Sequence, residues 1–200
     1  NFMKLAKNLE RLGTESAFAI LAEAKKLEAQ GKEMIHLGLG QPDFKTPQHV
    51  MDAAKKAIDD GHHGYVLANG ILECRQAVSR KIKKLYNKEI SPERIMIMPG
   101  GKPTMYYAIS MIGEPGSEII HPTPGFPIYE SMINYTGAKA VPYDLTEDKD
   151  LQFDPEKILS LITEKTRMLI LINPNNPTGS FVEKSKIDFL AEGLKKYPHV

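Results

Sequence analysis

Apolar residues recur at helical spacing through the first part of the chain, up to about residue 90. Between residues 16 and 30, Phe18, Leu21 and Ala22 fall on one side of a predicted helix that Gly31 would end. Two more stripes predict helices: Val50, Ala54, Ala57 and Ile58, closing at Gly61, and Ile71, Cys74, Val78, Ile82 and Leu85. The segment before about residue 45 is predicted to be an arm or part of a smaller domain.

Beyond residue 90 short apolar runs alternate with amphipathic stretches. The runs predict strands at residues 94–98, 117–121, 139–143 and 167–172. The stretches predict helices at residues 104–112, 128–135, 155–162 and 183–195. Alternating strands and helices favour an α/β fold in which helices cover both faces of a mainly parallel sheet.

Composition narrows the class of protein. A net charge of +1, from 26 basic and 25 acidic residues, provides no general field for nucleic acid or an anionic membrane, so neither is an expected partner. Cys74, the single cysteine, suits the cytoplasm. No apolar run approaches the roughly 20 residues of a membrane span, and residues 1–11 lack a signal-peptide core. The chain starts without methionine and stops just after a predicted helix, so a fragment is expected.

A polar, proline-stiffened loop at residues 173–180 directly follows the apolar run of residues 168–172. Ligands of α/β sheets bind at the carboxyl ends of strands, where this loop would lie. Its prolines restrict the backbone, so the asparagine amides could be aimed with little loss of entropy on binding. An ordinary turn favours the same residues and is the alternative interpretation.

Two other loops carry candidate chemistry. Gly100 and Gly101 precede a predicted helix with Pro103 in its first turn, where unpaired backbone N–H groups favour a phosphate; a tight turn is the alternative. Residues 121–129 place Phe126 among three prolines, which could hold its ring for stacking on a planar ligand, or simply in the core. No metal site is expected, since the six histidines lack ligand spacing.

Five motifs in order carry a family resemblance: G-L-G-Q-P-D-F-K-T-P (38–47), Y-V-L-A-N-G-I-L-E-C-R (65–75), G-G-K-P (100–103), H-P-T-P-G-F-P-I-Y (121–129) and N-P-N-N-P-T-G (173–179). Over about residues 14–195 the chain resembles the pyridoxal-phosphate-dependent class I/II aminotransferases of fold type I, most of all the aspartate aminotransferase subgroup. The resemblance implies a three-layer α/β/α fold with a mainly parallel sheet. Residues 1–45 would form an N-terminal arm and part of the small domain, and residues 46–200 the incomplete large domain.

The resemblance also implies which residues hold the cofactor, pyridoxal 5'-phosphate. Gly101 and Lys102 would give backbone N–H groups to its phosphate, which agrees with the helix-terminus argument. Phe126 would lie against the pyridine ring, where the family often has Trp or Tyr. Asn176 would hydrogen-bond the phenolic oxygen.

Other implied roles involve the substrate and a second subunit. Gly40 matches a glycine whose backbone meets the substrate carboxylate. Tyr65 matches a tyrosine that reaches the phosphate in the neighbouring subunit, so a homodimer is expected. The family also has cis peptide bonds before the positions of Pro124 and Pro177.

No catalytic residue is expected within the chain, because the family's Schiff-base lysine, with its aspartate and two arginines, lies beyond the position that matches Val200. The complete protein would move an amino group between an amino acid and a 2-oxo acid, whereas these 200 residues alone would be inactive and bind the cofactor weakly.

A carbon–sulfur β-lyase or a 1-aminocyclopropane-carboxylate synthase is the nearest alternative. A non-catalytic aminotransferase-like sensor would need a winged-helix segment and a basic linker before the arm, and residues 1–12 contain neither. A nicotinamide-binding domain is disfavoured because no G-x-G-x-x-G follows a strand.

Overall fold

The chain forms two compact units in a computed structural model that describes residues 3–13 and 16–200. Residues 17–101 make up the first unit, and residues 102–200, together with residues 3–13 and 16, make up the second. The domain boundary expected near residue 45 stays a prediction.

The first unit contains the three helices that the apolar stripes predict. They are α1 (Ser16–Ala29), α2 (Gln48–Asp59) and α3 (Leu72–Tyr86). The strand predicted at residues 94–98 is wrong: a 3-10 turn, Pro92–Arg94, is followed by irregular backbone, although Ile95 is buried. Among the described helices of the whole chain, none is long and apolar enough to cross a bilayer.

A tight turn before α3 is held from two sides. Gly70 has φ of 94°, and a Cβ placed on it would lie 2.8 Å from Ile97 Cγ1. The guanidinium of Arg75, which is only 3% exposed, donates to the carbonyl oxygens of Gly70 (3.1 Å) and Pro92 (3.0 Å). Because a buried charge is costly unless it is hydrogen-bonded, these bonds make the turn a defined structure. Tyr65, a few residues earlier, is fully exposed.

The second unit is built around a parallel three-stranded sheet with the order β2-β1-β3. Its strands are β1 (Glu118–Thr123), β2 (Lys139–Asp144) and β3 (Thr166–Leu169). Its helices are α4 (Gly101–Ile112), α5 (Ile128–Thr136), α6 (Pro155–Ser160) and α7 (Lys184–Leu194). The parallel α/β arrangement and all four helices are therefore confirmed, with ends that differ by a few residues.

The central strand β1 is buried on both faces. Ile119 and Ile120 are both 0% exposed, and successive residues of a strand point to opposite sides of the sheet. Ile119 packs in a cluster with residues of α4 and α5: Ile109, Met132 and Ile133. Ile120 packs in a second cluster with Tyr143 and Phe153 and with residues of α6 and α7, Ile158 and Leu190. The sheet is thus covered on both faces, as the alternating pattern predicts.

The N-terminal segment packs on α5. Arg11 donates from Nε to Asn134 O (2.8 Å) and from Nη2 to Tyr135 O (2.9 Å), and Gly13 N donates to Ser131 Oγ (2.9 Å). A cation on the last carbonyl groups of a helix is favourable, because these groups lack intrahelical partners and carry partial negative charge.

We predict that Gly70→Ala destabilises the protein more than Gly31→Ala does. Both glycines have positive φ, 94° and 84°, but nothing lies within 4 Å of a Cβ on Gly31. Gly31→Ala should lower the free energy of unfolding by about 1–2 kcal/mol through backbone strain alone. Gly70→Ala should lower it by about 1–3 kcal/mol more, because the new methyl group overlaps Ile97. Urea unfolding of both variants measures the difference, and equal losses would contradict the steric argument.

Candidate active site

The candidate site lies at the carboxyl ends of β1 and β3, which are neighbours in the sheet and run in the same direction. The loop after β1 carries Phe126, and the loop after β3 carries the asparagines. Parallel strands bring such loops to one edge of the sheet, where α/β proteins bind ligands.

The loop after β1 has little freedom around Phe126. A Cβ on Gly125 would lie 2.5 Å from Pro122 O, so no larger residue fits there without a backbone shift. Phe126 is half-buried and meets Tyr129 edge to face, with ring centroids 6.3 Å apart. The peptide bond from Thr123 to Pro124 is cis, as expected.

Helix α4 begins beside this loop. The Nζ atom of Lys102 lies 5.7 Å from the centroid of the Phe126 ring, within the range of a cation–π contact. The first N–H groups of a helix have no carbonyl partner within it, so the first turn of α4 can present backbone donors to an anion. Gly100 and Gly101 follow irregular backbone rather than the predicted strand.

Asn175 connects the asparagine loop to the loop of Phe126. It is 6% exposed, and its Nδ2 donates to Pro124 O (3.3 Å) and to Thr178 Oγ1 (2.9 Å). Asn176 is exposed. The peptide bond from Asn176 to Pro177 is cis, as expected, and that from Asn173 to Pro174 is also cis, which the sequence did not indicate.

A chain of hydroxyl groups extends from Asn175. Ser180 Oγ donates to Leu151 O (2.8 Å), so its contact with Thr178 Oγ1 (2.7 Å) is one in which threonine donates. Each hydroxyl therefore donates one hydrogen bond, and Thr178 Oγ1 accepts a second one from Ser180 N (3.3 Å) besides that from Asn175. The network ties the asparagine loop to the segment that follows β2.

The structure thus brings together Lys102, Phe126 and the asparagine loop, three of the predicted elements. The role of Asn175 could not be predicted from the sequence, because two adjacent asparagines in a loop are equivalent until the structure shows that one of them is buried. Gly40 and Tyr65 are exposed and belong to the first unit, and their roles stay predictions. Within residues 3–13 and 16–200, no group of three or more His, Cys, Asp and Glu side chains could hold a metal ion.

Two buried side chains near this edge of the sheet are held in their neutral forms. Burial lowers the pKa of His121, against smaller opposing effects of Glu130 and of the hydrogen bond to Pro122 O. His121 is 5% exposed, and its Nδ1 lies 3.2 Å from that oxygen, which assigns the ring proton to Nδ1 because a carbonyl can only accept. Burial also raises the pKa of Tyr143, whose hydroxyl donates to Ile170 O (3.1 Å).

Comparisons with a family model and with individual proteins agree on one family. The family model described as aminotransferase class I and II matches residues 32–200. An aspartate aminotransferase of Bacillus subtilis is 35% identical over 95% of this chain and 48% of its own length. An aspartate/prephenate aminotransferase of Nitrosomonas europaea is 32% identical over 99% of this chain and 50% of its own length.

Solved structures agree with the sequence relatives. An aspartate aminotransferase from Thermus thermophilus, crystallised with maleate, superposes with a TM-score of 0.93 at 29% identity, over 98% of this chain and 52% of that one. An alanine aminotransferase from Pyrococcus furiosus gives a TM-score of 0.91 at 29% identity, over 97% of this chain and 50% of that one. The chain spans about half the length of the relatives it matches.

We predict that His121 makes the protein less stable as the pH falls. The pKa of His121 is below its ordinary value of 6.5 in the folded state, so the unfolded chain takes up the proton first. The contribution of His121 to stability is therefore complete above about pH 6.5 and is lost as the pH falls towards the folded-state pKa. His121→Gln should flatten the pH dependence of the free energy of unfolding in this window.

The matched control is the exposed His62, replaced by Gln in the same way. Urea unfolding is measured at several pH values between pH 8 and pH 5. The free energy of unfolding should depend on pH in the same way for His62→Gln as for the unchanged protein. If His121→Gln also leaves the pH dependence of the free energy of unfolding unchanged, His121 is not its source.

Proposed function

The chain belongs to the class I and II aminotransferase family, and from this membership we propose that it forms part of a pyridoxal 5'-phosphate-dependent enzyme that moves an amino group between an amino acid and a 2-oxo acid. The observation that carries the proposal is the meeting of Lys102 at the start of α4 with Phe126 and, through Asn175, with the asparagine loop. We further propose that the complete enzyme is a cytoplasmic homodimer that acts in amino acid biosynthesis.

The start of α4 suits the phosphate of the cofactor. The backbone N–H groups of Gly101 and Lys102 lie in the first turn of the helix, where the helix dipole favours an anion. The side chain of Lys102 reaches the ring of Phe126 instead. We therefore assign to Lys102 a backbone hydrogen bond and a positive charge near the phosphate, not a covalent role.

Phe126 and Asn176 suit the ring of the cofactor. The half-buried phenyl ring offers a stacking face, and the exposed amide of Asn176 donates to the phenolic oxygen, which stabilises the ionised form of that oxygen. Asn175 Oδ1 is buried and has no hydrogen-bond partner among the described residues, whereas the amide of the neighbouring Asn176 is exposed and within reach of a ligand. When bound, pyridoxal phosphate withdraws electrons from the amino acid and so stabilises negative charge at its Cα.

Two residues of the first unit complete the proposal. The backbone of Gly40 meets the substrate carboxylate, and nothing lies within 4 Å of a Cβ placed there, so a ligand can approach it closely. Tyr65 donates to the phosphate held by the neighbouring subunit. The side chain of Tyr65 is completely exposed, which supports this role, because a large aromatic ring gains free energy when another molecule buries it.

We predict that Phe126→Leu weakens the binding of pyridoxal phosphate by the full-length protein. The change keeps an apolar side chain but removes the stacking face, and aromatic stacking contributes about 0.5–1.5 kcal/mol, or about two- to tenfold in the dissociation constant. The control is Phe189→Leu in α7, a partly exposed phenylalanine outside the candidate site. Equilibrium dialysis with the cofactor should show weaker binding only for Phe126→Leu.

We predict that Asn176→Ala lowers kcat/KM for amino transfer by about 10- to 100-fold, because a hydrogen bond to a charged oxygen contributes about 1.5–3 kcal/mol. The assay supplies a panel of amino acids with a 2-oxo acid acceptor and measures both products. Absence of amino transfer by the unchanged full-length protein, or release of ammonia without any acceptor, would overturn the proposed reaction.

A further inference from the structure

We infer that Asn175 is a positioning residue that holds the ring-stacking Phe126 and the amide of Asn176 in fixed relation to each other. The inference rests on the proposed function. It assigns a role to a side chain that contacts neither the proposed cofactor nor the substrate, and that acts through its two neighbours.

Asn175 joins the loop after β1 to the asparagine loop by a side-chain hydrogen bond. Its Nδ2 has two protons, and both have acceptors: Pro124 O in the loop after β1 and Thr178 Oγ1 in its own loop. Pro124 O can only accept, so the amide cannot be flipped without losing the bond between the loops. Pro124 stands two residues before Phe126, and Asn175 stands directly before Asn176.

The backbone of Asn175 is also hydrogen-bonded on both sides. Its N–H donates to Ser180 O (2.8 Å), and its carbonyl accepts from Gly179 N (2.9 Å). The hydroxyl chain through Thr178 and Ser180 then ends on Leu151 O. Asn175 is therefore the point at which the loop after β1 is fixed to the asparagine loop and, through the hydroxyls, to the segment after β2.

The two adjacent asparagines differ in their exposure to solvent. Asn175 is 6% exposed, whereas Asn176 is exposed, so a ligand at this surface meets Asn176 and not Asn175. A buried amide that bonds a backbone carbonyl of another loop fixes distance and orientation at once. An apolar residue of the same size would leave Pro124 O and Thr178 Oγ1 without this donor, so the two loops could separate.

The test uses the full-length protein with pyridoxal phosphate and compares Asn175→Leu with Asn176→Ala. The readout is the pH at which the absorbance spectrum of the bound cofactor changes, since Asn176 stabilises the ionised phenolic oxygen. Both variants should move this transition to higher pH, and Asn175→Leu should also raise the dissociation constant of the cofactor by about tenfold. The double variant should show no further movement of the transition, because Asn175 acts through Asn176.

The matched control is Asn173→Leu, in the same loop. Asn173 Oδ1 accepts from Val182 N (3.0 Å), a bond within the segment that follows β3 and not between the two loops. Asn173→Leu removes this bond, so the variant should have a lower melting temperature but the same pH of the spectral transition. Asn175→Asp supplies a variant of nearly unchanged shape: its ionised carboxylate cannot donate to Pro124 O, so its cofactor affinity relative to the unchanged protein should recover at acid pH, where the protonated group can donate.

The outcomes separate the inference from its premise. If the unchanged full-length protein does not bind pyridoxal phosphate, the proposed function fails. If it binds the cofactor but Asn175→Leu leaves the transition in place, or Asn173→Leu moves it equally, Asn175 has no specific positioning role. If Asn175→Leu does not fold, Asn175→Asp decides, and a relative affinity that is constant with pH overturns the inference.

Discussion

Burial of β1 on both faces is the constraint on which the second unit depends. Ile119 and Ile120 are inaccessible to solvent and anchor separate apolar clusters on the two sides of the sheet. A shift of the register of β1 by one residue would move its side chains to the opposite faces of the sheet and would disrupt both clusters together. The carboxyl end of β1 is therefore held in one place, and with it the loop that presents Phe126.

The hydrogen bonds at the carboxyl end of β1 orient the loops whose starting points the packing of β1 fixes. Apolar packing is non-directional and sets where a strand ends, but not which way the following loop turns. Hydrogen bonds from Asn175, Thr178 and Ser180 supply that information, and their donors and acceptors are paired in a single consistent direction. Core and network thus have separate tasks: the core fixes the strand ends, and the network fixes the loops on them.

Much of the fold could be predicted because helical and strand periodicity are local properties of the chain. The described helices α1 to α7 and the parallel strands 118–123, 139–144 and 166–169 match the apolar pattern closely. Residues 94–98 could not be predicted in this way, because a strand also needs a hydrogen-bonded partner, and no pattern within five residues reveals one. For the same reason the motif that carries Asn176 could be recognised, whereas the bond from Asn175 to Pro124, which spans 51 residues, could not.

The arrangement β2-β1-β3 has a practical consequence for handling the protein. With β1 in the centre, β2 and β3 each have one edge with which no strand among residues 3–13 and 16–200 pairs. Such edges can recruit strands from other molecules and seed aggregation. These two edges are therefore the places at which strands of other molecules are expected to pair as the concentration of these 200 residues rises.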